Sequence, residues 1–467
     1  MKIKHLMSSM ALVALALSSL DANAGNVDAL TARSTASSFI QQQARAGRSF
    51  KAQASRSLRL THVEASKVVD GANDYYVFNI DGGGWVIVSG EDRASEVLGY
   101  SEQGKLDFNN LPYNVKGLLD CYKKEIEFLQ TYEGDDLVPV NKTLTASAGV
   151  DPLIKTNWGQ EDPYDWQCPV YQGSYCAVGC VATAMAQVMK YWQYPEGSGS
   201  LEGFYCYAIG QNVPALPATT FNYSLMLNSY CHWDYDLSEL IQDAYTEAQG
   251  NEVAKLGRYC GQAVEMNYHP DGSGAYTRDQ RDAMVSFGYR SSAKYVQKGS
   301  GGGWWSQGNY TTAQWEAMMK TELDAGRPIL YAASDEGGGS GHAFICDGYS
   351  SDGKFHYNFG WYGTCDGWYV STALNMTHRS GEECHFNTGH EMVIGVQPPE
   401  GWQPPVTILT GDVNGDGTIN VTDVTILVDY MLGSVSSTDI ELDAADINGD
   451  GIINVTDVTL LIDLMLE

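Results

Sequence analysis

The sequence predicts an α+β protein that ends in a small all-α module, and three patterns lead there. An early strand, turn and strand run into an amphipathic helix. A central apolar helix is followed, far along the chain, by two short strands. Near the C-terminus an acidic loop leading into an apolar helix occurs twice.

Residues 1–24 carry lysines at Lys2 and Lys4, an apolar run over 10–17 and small residues at 22–24. These are the three parts of a secretory signal peptide, so the chain is expected outside the cell, at its surface or in a bacterial periplasm. The apolar run is too short to span a membrane, and no other segment is long enough. Residues 25–147 read as a separate unit. Tyr75–Ile80 and Trp85–Ser89 are strand-like around the turn Asp81-Gly-Gly-Gly84. After Asn109 and Pro112 a helix places Val115, Leu118, Leu119, Tyr122, Ile126 and Leu129 on one face, and a loose exit follows over 143–149.

Residues 148–398 carry the chemistry. Gly179 and Cys180 precede Val181, Met185, Val188 and Trp192, which recur at helical spacing before Pro195 closes the helix. A cysteine in that first turn lies where unpaired N–H groups and the positive end of the helix dipole stabilise a thiolate. Its base should be distant in sequence and close in space. Of nine histidines, His342 is the best placed, ending a glycine-rich loop at the first residue of an apolar strand. A second strand then brings Asn358 and Trp361, which would orient and shield the ring. His356 alternates beside Asn358, and His5 lies in the leader. His62 is upstream, and His232, His269, His378 and His385 lack a glycine loop or apolar strand. His390-Glu391 lacks the second histidine of a zinc site and reads as a terminal strand. Nucleophile, base, then amide with tryptophan is the chain order of papain-type cysteine proteases.

The segments around Gly179-Cys180, Gly341-His342 and Asn358-Phe359-Gly360-Trp361 together resemble the streptopain family of secreted cysteine proteases, from residue 25 to about 398. The resemblance implies a two-lobed papain-like domain over 148–398, with 25–147 as its propeptide. It implies Cys180 as nucleophile, His342 as general base and Gln160, twenty residues before Cys180, as oxyanion donor. Gln167 and Gln172 are closer competitors, and the Gln160-x-x-Pro-Tyr context favours Gln160. The family's usual Asn-Trp-Gly-Trp has Phe359 in place of its first tryptophan; a phenylalanine there can cover the histidine by packing but has no indole N–H. Cys176, four residues before the helix, is the rival nucleophile without the helix field. The ten cysteines of the chain suggest disulfides in an exported protein; nine of them fall in the central region, leaving eight to pair if Cys180 stays free.

After a proline-rich linker over 399–409, residues 410–467 contain the doubled loop. Asp412, Asn414, Asp416, Thr418, Asn420 and Asp423 recur thirty-four residues later as Asp446, Asn448, Asp450, Ile452, Asn454 and Asp457. Oxygen ligands at positions 1, 3, 5, 9 and 12, a glycine at 6 and a backbone carbonyl at 7 are calcium-loop spacing. A helix follows each loop but none precedes it, and position 12 is Asp, so the pair resembles a dockerin module. That implies structural calcium and a cohesin-like or cell-surface partner. Catalysis by Cys180 and His342 requires no cofactor.

The net charge of −29 argues against a nucleic-acid binder, which wants basic patches. Much of it is acid in the calcium loops, where no Lys or Arg follows residue 407. The reading is an exported cysteine endopeptidase, made as a zymogen, acting on protein and peptide substrates and anchored by its last module. The alternatives are an inactive binding or scaffold protein on the same fold, and another Cys-His acyl transferase.

Overall fold

The computed structural model describes residues 25–47, 50–134, 137–139, 149–235, 237–299, 309–334, 341–374, 376–378, 389–403, 410–415, 418–437, 439–448 and 452–466. The leader, most of the 143–149 exit, the glycine run before Gly341, Cys384, His385, Asp416 and Asp450 lie outside the described residues. The chain divides into two units, Met1–Pro399 and Glu400–Glu467.

Four N-terminal strands, β1 (Leu58–Ala65), β2 (Asn73–Ile80), β3 (Trp85–Ser89) and β4 (Val97–Ser101), form an antiparallel meander. β2 and β3 are apolar without alternation because both of their faces are covered. Tyr76, Phe78, Val86 and Val88 meet Ala32, Ala36 and Ile40 of helix α1 (Ala29–Arg45). Tyr75, Val77, Trp85 and Ile87 meet Leu118, Leu119, Tyr122 and Ile126 of α2 (Tyr113–Thr131). Asp28 starts α1 by accepting from the Thr31 N–H at 2.7 Å.

The central region adds six strands: β5 (Lys294–Gln297), β6 (Ile329–Ser334), β7 (Gly341–Tyr349), β8 (Phe355–Asn358), β9 (Gly367–Tyr369) and β10 (His390–Ile394). All ten strands form one antiparallel sheet in the order β1-β2-β3-β4-β9-β8-β7-β6-β10-β5. The joint is β4 against β9, with Tyr100 opposite Trp368 and Gly99 opposite Tyr369. Residues 25–147, expected as a separate unit, therefore share both a sheet and a core with the region that follows.

Helix α3 (Cys180–Trp192) lies against β7 and β6 and packs with α4 (Glu247–Ala263) and α5 (Thr277–Ser286) in a second cluster. The opposite sheet face is covered by α6 (Thr312–Asp324) together with the N-terminal α2. α3 ends at Trp192, where Gln193 takes a left-handed conformation. The expected disulfides are absent among the described residues. Cys168, Cys176, Cys206, Cys231, Cys260, Cys346 and Cys365 are buried thiols that pack as small apolar fillers.

In the second unit, α7 (Val421–Met431) and α9 (Val455–Leu466) flank the four-residue α8 (Leu442–Ala445). Val413, Leu427, Ile440, Ala445 and Leu461 fill its core, so both repeats contribute to one cluster.

Candidate active site

Gly179 and Cys180 sit at the entry of α3 because only a glycine fits the preceding backbone. Gly179 has φ +90°, and a Cβ there would lie 2.7 Å from the Met266 side chain and 3.0 Å from the Ser273 carbonyl. Cys180 follows as the first residue of the helix, 7% exposed. Its Sγ accepts from the Ala343 N–H at 3.4 Å, which brings the thiol against β7 at the residue beside His342. The indole of Trp361 lies next to the imidazole, with ring centroids 6.2 Å apart and planes at 57°. Phe359 does not share that place. It is buried among Phe344, Tyr357 and Tyr369, on the far side of the sheet.

The thiol is not depressed in the full-length chain, contrary to expectation. Burial pushes it above its ordinary value, and the Ala343, Val181 and Cys180 N–H groups pull against that. The helix end therefore acts in the expected direction but loses to desolvation. Burial also lowers His342, so both groups are biased toward their neutral forms.

Gln160 is 6% exposed, and its Nε2 has no hydrogen-bond acceptor among the described residues. A buried amide donor left over in this way is a group prepared for a partner. Its backbone is held, because the Gln160 carbonyl accepts from Val178 N–H at 2.9 Å, two residues before Cys180. Trp361 Nε1 is likewise buried without an acceptor among the described residues. Asn358 is placed differently from the ring-orienting role. Its Nδ2 donates to the Thr156 carbonyl at 2.8 Å, and its Oδ1 accepts from Gln187 Nε2 at 3.0 Å and from Gly360 N–H at 3.1 Å.

Gln187 and Thr156 are the residues that the sequence reading missed. The signal was present, since Cys180, Thr183, Gln187 and Lys190 mark a stripe at i, i+3, i+7 and i+10 in an otherwise apolar helix.

The rival groups are accounted for. Cys176 is buried before the helix, and desolvation raises it to about 11. His356 Nδ1 pairs with Asp347 at 2.7 Å. His390 begins the expected terminal strand, with Nδ1 2.6 Å from the Tyr331 hydroxyl.

In the C-terminal unit the last residue of each loop is fully buried. Asp423 accepts from the N–H groups of Asn414 at 3.1 Å and Asn420 at 2.8 Å. Asp457 accepts from Ile447 at 2.9 Å and Asn454 at 2.8 Å. Asn420 Nδ2 reaches the Thr418 carbonyl and Asn454 Nδ2 the Ile452 carbonyl, so positions 7 and 9 converge in both loops. A buried carboxylate needs a counter-charge, and this segment has neither Lys nor Arg. The donors are carboxylate, amide and carbonyl oxygens, which fit calcium.

Comparison with known proteins matches three segments of the chain. Residues 158–369 match the peptidase C10 family, residues 24–126 match the Spi protease inhibitor, and residues 410–466 match the dockerin type I domain. Streptopain of Streptococcus pyogenes serotype M1 is 30% identical over 388 residues, spanning 79% of this chain and 91% of that protein. The thiol protease/hemagglutinin PrtT of Porphyromonas gingivalis is 27% identical over 351 residues, spanning 71% of this chain and 38% of that protein. A solved prointerpain A fragment from Prevotella intermedia, carrying a cysteine-to-alanine mutation, matches with a TM-score of 0.56 at 30% identity. It covers 74% of this chain and 100% of the fragment.

Proposed function

Because the chain belongs to the peptidase C10 family and is a cysteine-type peptidase with a propeptide and a dockerin domain, we propose that Cys180 and His342 form its catalytic pair. The observation that carries this reading is a helix-entry thiol held 3.4 Å from the N–H beside His342. The Gln160 Nε2, buried without an acceptor among the described residues, supports a donor role for that residue.

In the mechanism, His342 takes the Cys180 proton as general base, and the thiolate attacks the substrate's peptide carbonyl. The tetrahedral oxyanion is met by Gln160 Nε2 and by the N–H of Cys180; one such donor is worth about 3 to 4 kcal/mol. Imidazolium then protonates the leaving amine. Water, deprotonated by the same imidazole, releases the acyl group and regenerates the thiol. Trp361 packs beside His342 and limits its exposure to solvent. The neutral bias of both groups in the full-length chain suits a latent precursor.

Residues 1–24 serve as an export signal, 25–147 as the propeptide, 148–398 as the protease domain and 410–467 as an anchor beyond a linker at 399–409. Asp412, Asn414, Asp416, Thr418, Asn420 and Asp423 would hold one calcium ion. Asp446, Asn448, Asp450, Ile452, Asn454 and Asp457 would hold a second. Bound calcium would neutralise the loop carboxylates and tie each loop to its helix. The module's partner is cohesin-like or at a cell surface.

Cys180→Ala tests the assignment. It should abolish casein hydrolysis and leave the purified chain at precursor length, whereas Cys176→Ala should keep activity. Wild-type maturation by purified Cys180→Ala would reject self-processing. Loss of activity in folded Cys176→Ala would move the nucleophile.

A further inference from the structure

A closed ring of hydrogen bonds lies behind the active site and joins its three segments. Thr156 Oγ1 donates to Gln187 Oε1 at 2.7 Å, Gln187 Nε2 donates to Asn358 Oδ1 at 3.0 Å, and Asn358 Nδ2 donates to the Thr156 carbonyl at 2.8 Å. The Trp158 N–H adds a fourth bond to Gln187 Oε1 at 3.3 Å. Gln187 is 1% exposed, Thr156 3% and Asn358 4%. Gln187 stands seven residues after Cys180 on α3, hence on the same helix face about 10 Å along the axis. It is too far along the helix to touch the reacting atoms.

We infer that Gln187 is a positioning residue that sets the Gln160 amide relative to Cys180. The inference rests on Gln160 as oxyanion donor. Both bonds accepted by Gln187 come from the segment that leads into Gln160. Further ties hold the same segment: Thr183 Oγ1 lies 3.4 Å from the Gly159 carbonyl, and Val178 N–H donates to the Gln160 carbonyl. Helix α3 thus holds the nucleophile at its first residue and the donor segment two turns later. Rigid side-chain networks in a dry interior hold geometry more firmly than exposed contacts. Oxyanion stabilisation depends on a donor distance within a few tenths of an ångström, and a displacement of about 1 Å can cost a factor of about 100.

The test uses matured enzyme, with precursors processed by immobilised wild-type enzyme that is then removed. Gln187→Ala should lower kcat about 10- to 100-fold with KM within about threefold. Iodoacetamide alkylation of Cys180 should stay within about twofold, because displacement of iodide builds no oxyanion and reads only the thiolate. In a Gln160→Ala background, Gln187→Ala should add almost nothing, since residues that act through one another are not additive. Thr156→Val keeps its side-chain shape and should lower kcat severalfold, which preserves the test if Gln187→Ala does not fold. The inference is overturned if alkylation falls in step with kcat, if the two glutamine variants are additive, or if folded Thr156→Val has wild-type kcat. Gln160→Ala with undiminished kcat would instead reject the oxyanion reading itself, and the inference with it.

Discussion

Gly179 shows how strongly its surroundings can constrain a single residue. Its positive φ turns the chain so that Cys180 enters α3 with its side chain toward β7, and Met266 and the Ser273 carbonyl fill the space where a Cβ would go. Gly179→Ala should therefore lose about 1 to 3 kcal/mol to backbone strain alone, before the Met266 clash is counted. A thermal melt should show Tm falling by several degrees, with casein hydrolysis reduced at least about tenfold in the folded fraction. Wild-type Tm and rate would mean that the turn tolerates a side chain. The glycine, the cysteine and His342 were legible in the sequence because each belongs to a local pattern: a breaker before an apolar helix, and a flexible loop before an apolar strand. The partners of Asn358 were not, because Thr156 and Gln187 lie 202 and 171 residues from it in sequence and meet it only in the fold.

At the scale of elements, α2, α3, β2, β3 and the terminal strand at His390 were read correctly from periodicity and turn residues. Helix α1 was missed. Its buried face is narrow, with Ala32, Ala36 and Ile40 among polar residues, so its periodicity is weak although Asp28 caps it. The helices expected after each acidic loop form as α7 and α9. A fragment of residues 407–467 should be largely unordered in chelator and become helical with calcium, because empty acidic loops repel one another and their buried carboxylates lack cations. Asp412→Ala with Asp446→Ala should remove most of that change, since each deletes the first ligand of its loop. Circular dichroism that is the same with and without calcium would reject the calcium reading.

For the first unit as a whole, the propeptide is built into the protease sheet. Beyond the β4–β9 joint, Glu125 on α2 accepts from Thr372 Oγ1 at 2.8 Å and from Ala373 N–H at 2.6 Å, and the Tyr122 hydroxyl donates to the Val370 carbonyl at 2.5 Å. Removing Glu125 would strand buried donors on the protease, which costs about 1 to 3 kcal/mol. Glu125→Ala should weaken the hold of the propeptide about tenfold and shorten the lag before casein hydrolysis by purified precursor. An unchanged lag would place the restraint elsewhere. Burial in the two cores also biases the thiols of Cys168, Cys260 and Cys346 toward their neutral form.

The sequence by itself determined the strand pair before α2, the helix carrying Cys180, the strand carrying His342 and the doubled acidic loop with its following helices. Each is written in residues close together along the chain, where helix period, turn chemistry and ligand spacing act. Only the tertiary structure decided that the propeptide and protease share one sheet, that burial overrides the helix end at the Cys180 thiol, and that Gln187 closes a ring with Thr156 and Asn358. Strand edges, desolvation and buried hydrogen bonds depend on which distant residues come to lie beside one another, and no local pattern records that.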